Sequence, residues 1–203
     1  RGRHDRARPT GALLAPRAPE RRRAAPGPAP SVPRSMSLAT GRLREERKAW
    51  RKDHPVGFVA RPRNAPDGST DLMVWDAVIP GKSGGLWDNC ELKLELTFGD
   101  DYPVTAPIVK FKPILWHMNV WADGRICLNL LNAEDGTWHG KWQPSITIKQ
   151  VLLAIQELLD NPFPAGARPE VQGMWEKNRP AYDKRIKEEA AKYRATSDVI
   201  EIE

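Results

Sequence analysis

Two cysteines, Cys90 and Cys127, set the limits of the chain's covalent chemistry. Two thiols make neither a disulfide framework nor a zinc cluster. A lone thiol in a folded protein is either an inert buried side chain or a nucleophile. Cys90 falls on an inward position of a regular strand pattern and reads as the former. Cys127 lies in Gly124-Arg-Ile-Cys-Leu-Asn-Leu130, within a long segment, 112–145, that shows no convincing helix or strand period. Segments of that length in compact domains are functional or disordered. Trp116, His117, Trp121, Trp138 and Trp142 make this one too aromatic for disorder. Gly81-Lys82-Ser83 looks like part of a phosphate loop. The glycine such a loop needs five residues before Gly81 is Asp76, however, and no helix follows the tripeptide. No nucleotide site, metal site or other cofactor is expected.

The elements that must hold Cys127 can be read on either side of it. From Leu38 the chain turns into helix formers, and Arg42–Lys52 carries a narrow apolar stripe of Leu43, Ala49 and Trp50 that Asp53-His54-Pro55 stops. Val56–Ala60 and Thr70–Ile79 read as strands joined by a turn at Asn64–Gly68. Asn89–Phe98 alternates cleanly. Cys90, Leu92, Leu94, Leu96 and Phe98 face one way, while Glu91, Lys93, Glu95 and Thr97 face the other. Ile108–Phe111 is a fourth strand. The period then becomes helical at Ile148, Val151, Leu152, Ile155, Leu158 and Leu159, behind a capping box, Thr147-Ile-Lys-Gln150. Glu170–Lys177 and Pro180–Tyr193 read as two further helices, the last turning Tyr182, Ile186 and Tyr193 inward. The expected fold is α+β: an N-terminal helix, a four-stranded antiparallel meander, the irregular segment, a central helix and two C-terminal helices.

The formal charge of +6 is unevenly placed. Residues 1–35 hold nine arginines against Asp5 and Glu20, a net of +7, so the rest of the chain carries about −1. A basic site in the body must therefore be a local patch, and nucleic-acid binding is not expected. Residues 1–35 also hold seven prolines and no hydrophobic period. They read as a disordered tail, or as translated leader ahead of a start at Met36. No apolar run approaches the roughly 18 residues of a membrane span, and no secretory signal is evident. The expected organisation is a tail at 1–35, one domain at 36–195 and an acidic end at 196–203. The cysteine usage points to a reducing compartment, nucleus and cytoplasm.

Pro113-x-x-x-His117-x-Asn119, with Asn119 eight residues before Cys127, followed by Trp142-x-Pro144 and the capped helix, resembles the ubiquitin-conjugating fold from about Leu38 to Tyr193. Longer strings narrow the resemblance to the SUMO-conjugating branch: Glu46-Arg-Lys-Ala-Trp-Arg-Lys-Asp-His-Pro55, Ile79-Pro-Gly-Lys82 and Ile146–Leu159. This resemblance implies that Cys127 accepts SUMO from an activating enzyme as a thioester and passes it to substrate lysines, with or without a ligase. Thiolate exchange with a thioester is reversible at neutral pH and conserves the energy for amide formation. Asn119 would stabilise the oxyanion, a task for a neutral donor, or hold the loop by a side-chain to backbone bond. His117 and Trp142 would be structural beside the site. Met118 stands where the family pattern has proline.

Trp121 and Gly166 fall at the acceptor-lysine pocket, and Gly166 occupies the position of a frequent carboxylate. Lys110 and Arg125 would meet the acid of an apolar-Lys-x-acid acceptor, opposed by Asp123. Arg47, Lys48, Arg51, Lys52 and His54 would contact the activating enzyme and a second, non-covalent SUMO. The resemblance implies a monomer that needs no cofactor. Two features have no counterpart in the pattern. Asn132–Lys141 is about five residues longer than the family loop, and Asp198-Val-Ile-Glu-Ile-Glu203 is similar to a SUMO-interacting strand or is a frayed acidic end. Another ubiquitin-like modifier, or a catalytically silent scaffold of the same fold, are the competing readings.

Overall fold

The computed structural model describes residues 37–132 and 142–194. The basic tail, nearly all of the extended loop at 132–141 and the acidic end lie outside the described residues. The described elements run in the expected order: α1 (Leu38–Lys52), β1 (Val59–Asn64), β2 (Thr70–Pro80), β3 (Glu91–Thr97), β4 (Ile108–Phe111), a 3-10 turn (Asn129–Leu131), α2 (Ile148–Asp160), α3 (Pro169–Lys177) and α4 (Arg179–Ala190). The strands form one antiparallel sheet in the order β1-β2-β3-β4.

Helix α1 starts one turn before the arginine-rich stretch because Ser37 caps it, its hydroxyl accepting from Thr40 N at 3.2 Å. Ala39, Thr40, Leu43, Glu46 and Trp50 are its buried positions, while Ala49, expected in the apolar stripe, is exposed because it falls off the face that Leu43, Glu46 and Trp50 share. β1 differs from the expected Val56–Ala60. Pro55 and Gly57 make a turn, with Phe58 N donating to Pro55 O at 3.1 Å and Gly57 at φ +81°. The ladder therefore begins at Val59 and runs on through Arg61 and Arg63. β1 is an edge strand, which is why Pro62 is tolerated in it. On β3, Leu92, Leu94 and Leu96 are buried and Glu91, Lys93 and Thr97 are exposed, as the alternation required. α4 ends at Ala190 rather than Tyr193. There the chain leaves the helix to meet the head of β3, where Glu91 N donates to Tyr193 O at 2.8 Å and Arg194 bridges Cys90. Cys90 is a buried strand-edge residue whose thiol donates to Ala190 O at 3.2 Å.

The capping box on α2 is present, with Gln150 N donating to Thr147 Oγ1 and Thr147 N donating to Gln150 Oε1. The apolar face of α2 (Ile148, Val151, Leu152, Ile155, Leu158, Leu159) is buried with Trp75, Ile79, Leu92 and Leu96 of the sheet. Full burial of each such side chain stabilises by about 1.5–3 kcal/mol. Gly81, in the turn after β2, has no room for a side chain: a Cβ there would stand 1.7 Å from Trp87 O.

One buried carboxylate ties α1 to α2. Glu46 accepts from Arg42 Nε at 2.9 Å and Nη2 at 2.6 Å, and its other oxygen accepts from Ile148 N at 3.2 Å, in the first turn of α2. Arg42 in turn donates to Pro144 O at 2.6 Å and Ile146 O at 3.0 Å. The negative charge at a helix N-terminus is favourable, and the pair fixes the chain that leads out of the irregular segment. Removing one partner of a buried pair strands the other, so Glu46→Ala should lower unfolding stability in urea by about 3 kcal/mol. A loss below about 1 kcal/mol, the range of an exposed pair, would remove Glu46 from this role.

Candidate active site

The irregular segment is built onto the outer edge of β4. Ile126 N donates to Val109 O at 3.1 Å, Phe111 N to Gly124 O at 3.0 Å, and Arg125 bridges Lys110. A tight turn precedes this pairing: Trp121 N donates to Arg125 O at 2.8 Å and Gly124 N to Trp121 O at 2.9 Å. Gly124 at φ +86° is required here, since a Cβ would stand 3.0 Å from Phe111 O. The following residue pair closes the frame, with Cys127 N donating to Asn119 O at 2.8 Å. Cys127 is half-buried and opens into a groove of about 260 Å³ lined by Ile108, Trp121, Arg125, Ile126 and Leu131 among others.

Asn119 is the junction of this site. Its side chain is fully buried, and both ends of the amide are used: Nδ2 donates to Phe163 O at 2.8 Å, and Oδ1 accepts from Phe163 N at 3.1 Å. That reciprocal pair fixes the amide's orientation and anchors the segment after α2 to the active-site segment. One of the two amide N–H groups is left over. His117 is buried as well, and its Nδ1 accepts from Asn119 N at 3.1 Å. Met118, where proline would stiffen the turn, is buried in the core instead. Trp142 is fixed by its indole N–H, which donates to Pro103 O at 2.9 Å.

The structure brings Trp121 and Arg125 into the Cys127 groove. Trp121 is 40% exposed and makes one wall. Lys110 lies beside them, joined to Arg125 through Asp123: Arg125 Nε donates to Asp123 Oδ2 at 2.7 Å, and Lys110 Nζ stands 3.6 Å from the same oxygen. Both cations hold the Asp123 carboxyl below the usual range, the backbone N–H of Arg125 contributing most. Gly166 is not among the residues lining the groove. It sits at φ +68° in the loop after α2, its N–H donating to Gln172 Oε1 at 3.1 Å, with open space where a side chain would project. Arg168 of that loop, which sequence reasoning missed, donates to Trp121 O at 3.4 Å and braces the groove wall.

At the opposite end of the sheet, Arg47 and Arg51 share a groove with Arg61 and Arg63 of β1. The last two were also missed, although their alternation on β1 was the available signal. Lys48 and Lys52 are exposed elsewhere on α1. His54 stacks on Trp50 with ring centroids 5.4 Å apart.

Burial disfavours the charged forms of both Cys127 and His117. Burial pushes the Cys127 thiol up. A thiol of high pKa is a poor leaving group, so a thioester formed on it is long-lived. Burial pulls His117 down to about 4, against a smaller opposing effect of the Leu159 carbonyl, so its imidazole is neutral at physiological pH. Between pH about 6.5 and 4 the unfolded chain takes up a proton that folded His117 refuses. Stability therefore falls as pH falls through that window, by about 1.4 kcal/mol per pH unit. His117→Gln should flatten that slope in urea titrations, and a slope unchanged by the substitution would show that His117 is not the group responsible.

The comparisons with known proteins agree with this geometry. The family model described as ubiquitin-conjugating enzyme matches residues 42–190. SUMO-conjugating enzyme UBC9 of Caenorhabditis elegans is 44% identical over 78% of this chain and 93% of its own length. SUMO-conjugating enzyme SCE1 of Arabidopsis thaliana is 43% identical over 79% of this chain and 98% of its own length. With the fold, the half-buried thiol and its groove in the matched span, the chain belongs to the ubiquitin-conjugating enzyme family.

Proposed function

We propose that this enzyme conjugates SUMO to lysine side chains, carrying it as a thioester on Cys127. The observation that carries the reading is the near full-length likeness to two enzymes of that stated activity. The Cys127 thiolate attacks the thioester carbonyl of SUMO on the activating enzyme. A new carbon–sulfur bond forms and the activating enzyme's thiolate leaves. The amine of a substrate lysine then attacks the Cys127 thioester. The carbon–nitrogen bond forms, the Cys127 sulfur departs as a thiolate, and the proton lost by the amine passes through solvent to that thiolate, regenerating the thiol.

The groove prepares the second step by desolvation. At a pKa of about 10.4 a lysine is almost wholly charged at neutral pH, and contact with the Trp121 ring lowers that value. Gly166 supplies no carboxylate to help, so the wall held by Arg168 carries this task. Asn119 donates to the tetrahedral oxyanion with the N–H that Phe163 does not use, as the buried amide turns or the Phe163 loop shifts. Lys110 and Arg125 receive an acidic residue of the acceptor in exchange for Asp123. Arg47, Lys48, Arg51, Lys52 and His54 receive the activating enzyme and SUMO. Ligases assist the transfer, and the enzyme works as a monomer in nucleus and cytoplasm.

The test is a charging reaction with SUMO-activating enzyme, ATP and SUMO, run on a non-reducing gel beside Cys127→Ser. The expected result is a thiol-sensitive band shifted by one SUMO and absent from the variant. Charging by the ubiquitin system alone would assign the enzyme to another modifier. No charging by either would leave a scaffold of this fold.

A further inference from the structure

The groove between α1 and β1 holds about 370 Å³ and is lined by Arg47, Arg51, Arg61, Arg63 and Asp76 among others. Arg63 is engaged by Asp76 and Glu95. Arg47, Arg51 and Arg61 form no ion pair among the described residues. Arg61 lies opposite Asp76 across the β1–β2 ladder and feels its charge, but four guanidinium groups against that one carboxylate still leave the cleft positive, which favours an occupant bearing negative charges. At the head of β1 the surface is different: Val56 is 97% exposed and Val59 45% exposed. The surface is thus apolar at one end and cationic at the other. Pro62 lacks an N–H, and the ladder shifts register beside it, so side chains rather than strand addition must lead recognition.

The chain contains a segment of matching order, Asp198-Val-Ile-Glu-Ile-Glu203. After Asp198, the apolar pair Val199-Ile200 precedes Glu201 and Glu203, with Ile202 between those two acids. Its point of departure is fixed. Arg194 bridges Cys90 at the head of β3, Gly81 N donates to Cys90 O at 2.9 Å, and Val78 of β2 is paired with Val59. Val59 at the head of β1 therefore lies about three strand spacings across the sheet and about three residues along it from Arg194, roughly 17 Å. An extended chain from Arg194 to Asp198 spans about 14 Å. Val199 would be the first residue able to reach the head of β1, with Ile200–Glu203 left to run along it.

We propose that residues 198–203 occupy this groove in their own chain. Val199 and Ile200 cover Val56 and Val59, and Glu201 and Glu203 pair with Arg61, Arg47 and Arg51. The acidic end then acts as an internal competitor for any acidic partner of the basic patch. For SUMO this consequence rests on the function proposed above. At an effective concentration of about 1 mM, a segment with an intrinsic Kd of about 0.1 mM would weaken such a partner roughly tenfold.

The test compares amide NMR spectra of the full chain with those of a chain ending at Ala195. Deletion should move the resonances of Arg47–Arg51 and Val59–Asn64. A synthetic 196–203 peptide added to the shortened chain should move them back. Glu201→Lys with Glu203→Lys, which leaves the domain untouched, should reproduce the deletion, and adding Arg61→Glu should restore the original positions. Unmoved resonances, or peptide shifts elsewhere on the domain, would overturn the proposal. Shifts in the full chain that vanish on dilution would also overturn it, placing the segment in a second copy. None of these spectra involves SUMO, so failure here and failure to charge with SUMO are separate results.

Discussion

Asn119 commits all of its polar groups but one amide N–H to holding the active-site segment in place. Its backbone N–H meets His117, its carbonyl meets Cys127, and its amide clasps the Phe163 peptide from both sides. Three stretches of chain without regular structure therefore share one residue: the turn at 117–121, the thiol at 127 and the loop after α2. A buried polar network of this kind is costly where partners are missing, and here the Phe163 peptide satisfies both ends of the Asn119 amide. It lets a stretch with only one short 3-10 turn among its described residues hold a sulfur atom in a fixed place.

The rest of the site follows from burial around that junction. His117 is neutral because it is enclosed, and Cys127 is poorly acidic for the same reason. A carrier thiol has opposing needs: ionisation to attack, and a poor leaving group to keep what it carries. This structure leans to the second. The charges stand at the rim instead, where Asp123 holds Lys110 and Arg125 together. Trp121 stands between, its backbone braced by the short turn and by Arg168.

Local patterns made most of the fold legible. β3 was plain from alternation and α2 from its helical apolar period and capping box, because those signals come from neighbouring residues. β1 slipped along the chain because Gly57 takes a positive φ, which composition does not reveal. Cys127, Trp121 and Arg125 were found by motif and meet in one groove. Gly166 was assigned to the lysine pocket by position, and the structure puts it in the adjoining loop, outside the groove lining. The Asn119–Phe163 clasp could not be read at all, since its partners are 44 residues apart and one of them is backbone. Both uses of Asn119 that the sequence suggested were left open there, and the structure shows the bracing one directly.

The most direct measurement of this account takes Asn119→Ala through two experiments: urea unfolding, and single-turnover discharge of a preloaded thioester onto lysine. Phe163 would lose both backbone partners, at about 1–3 kcal/mol of stability, and the oxyanion would lose its donor, at about 10²–10³ in rate. The account predicts both losses. Normal discharge from a destabilised protein would reduce Asn119 to a brace, and slow discharge from a protein of unchanged stability would contradict the clasp on which the site is built.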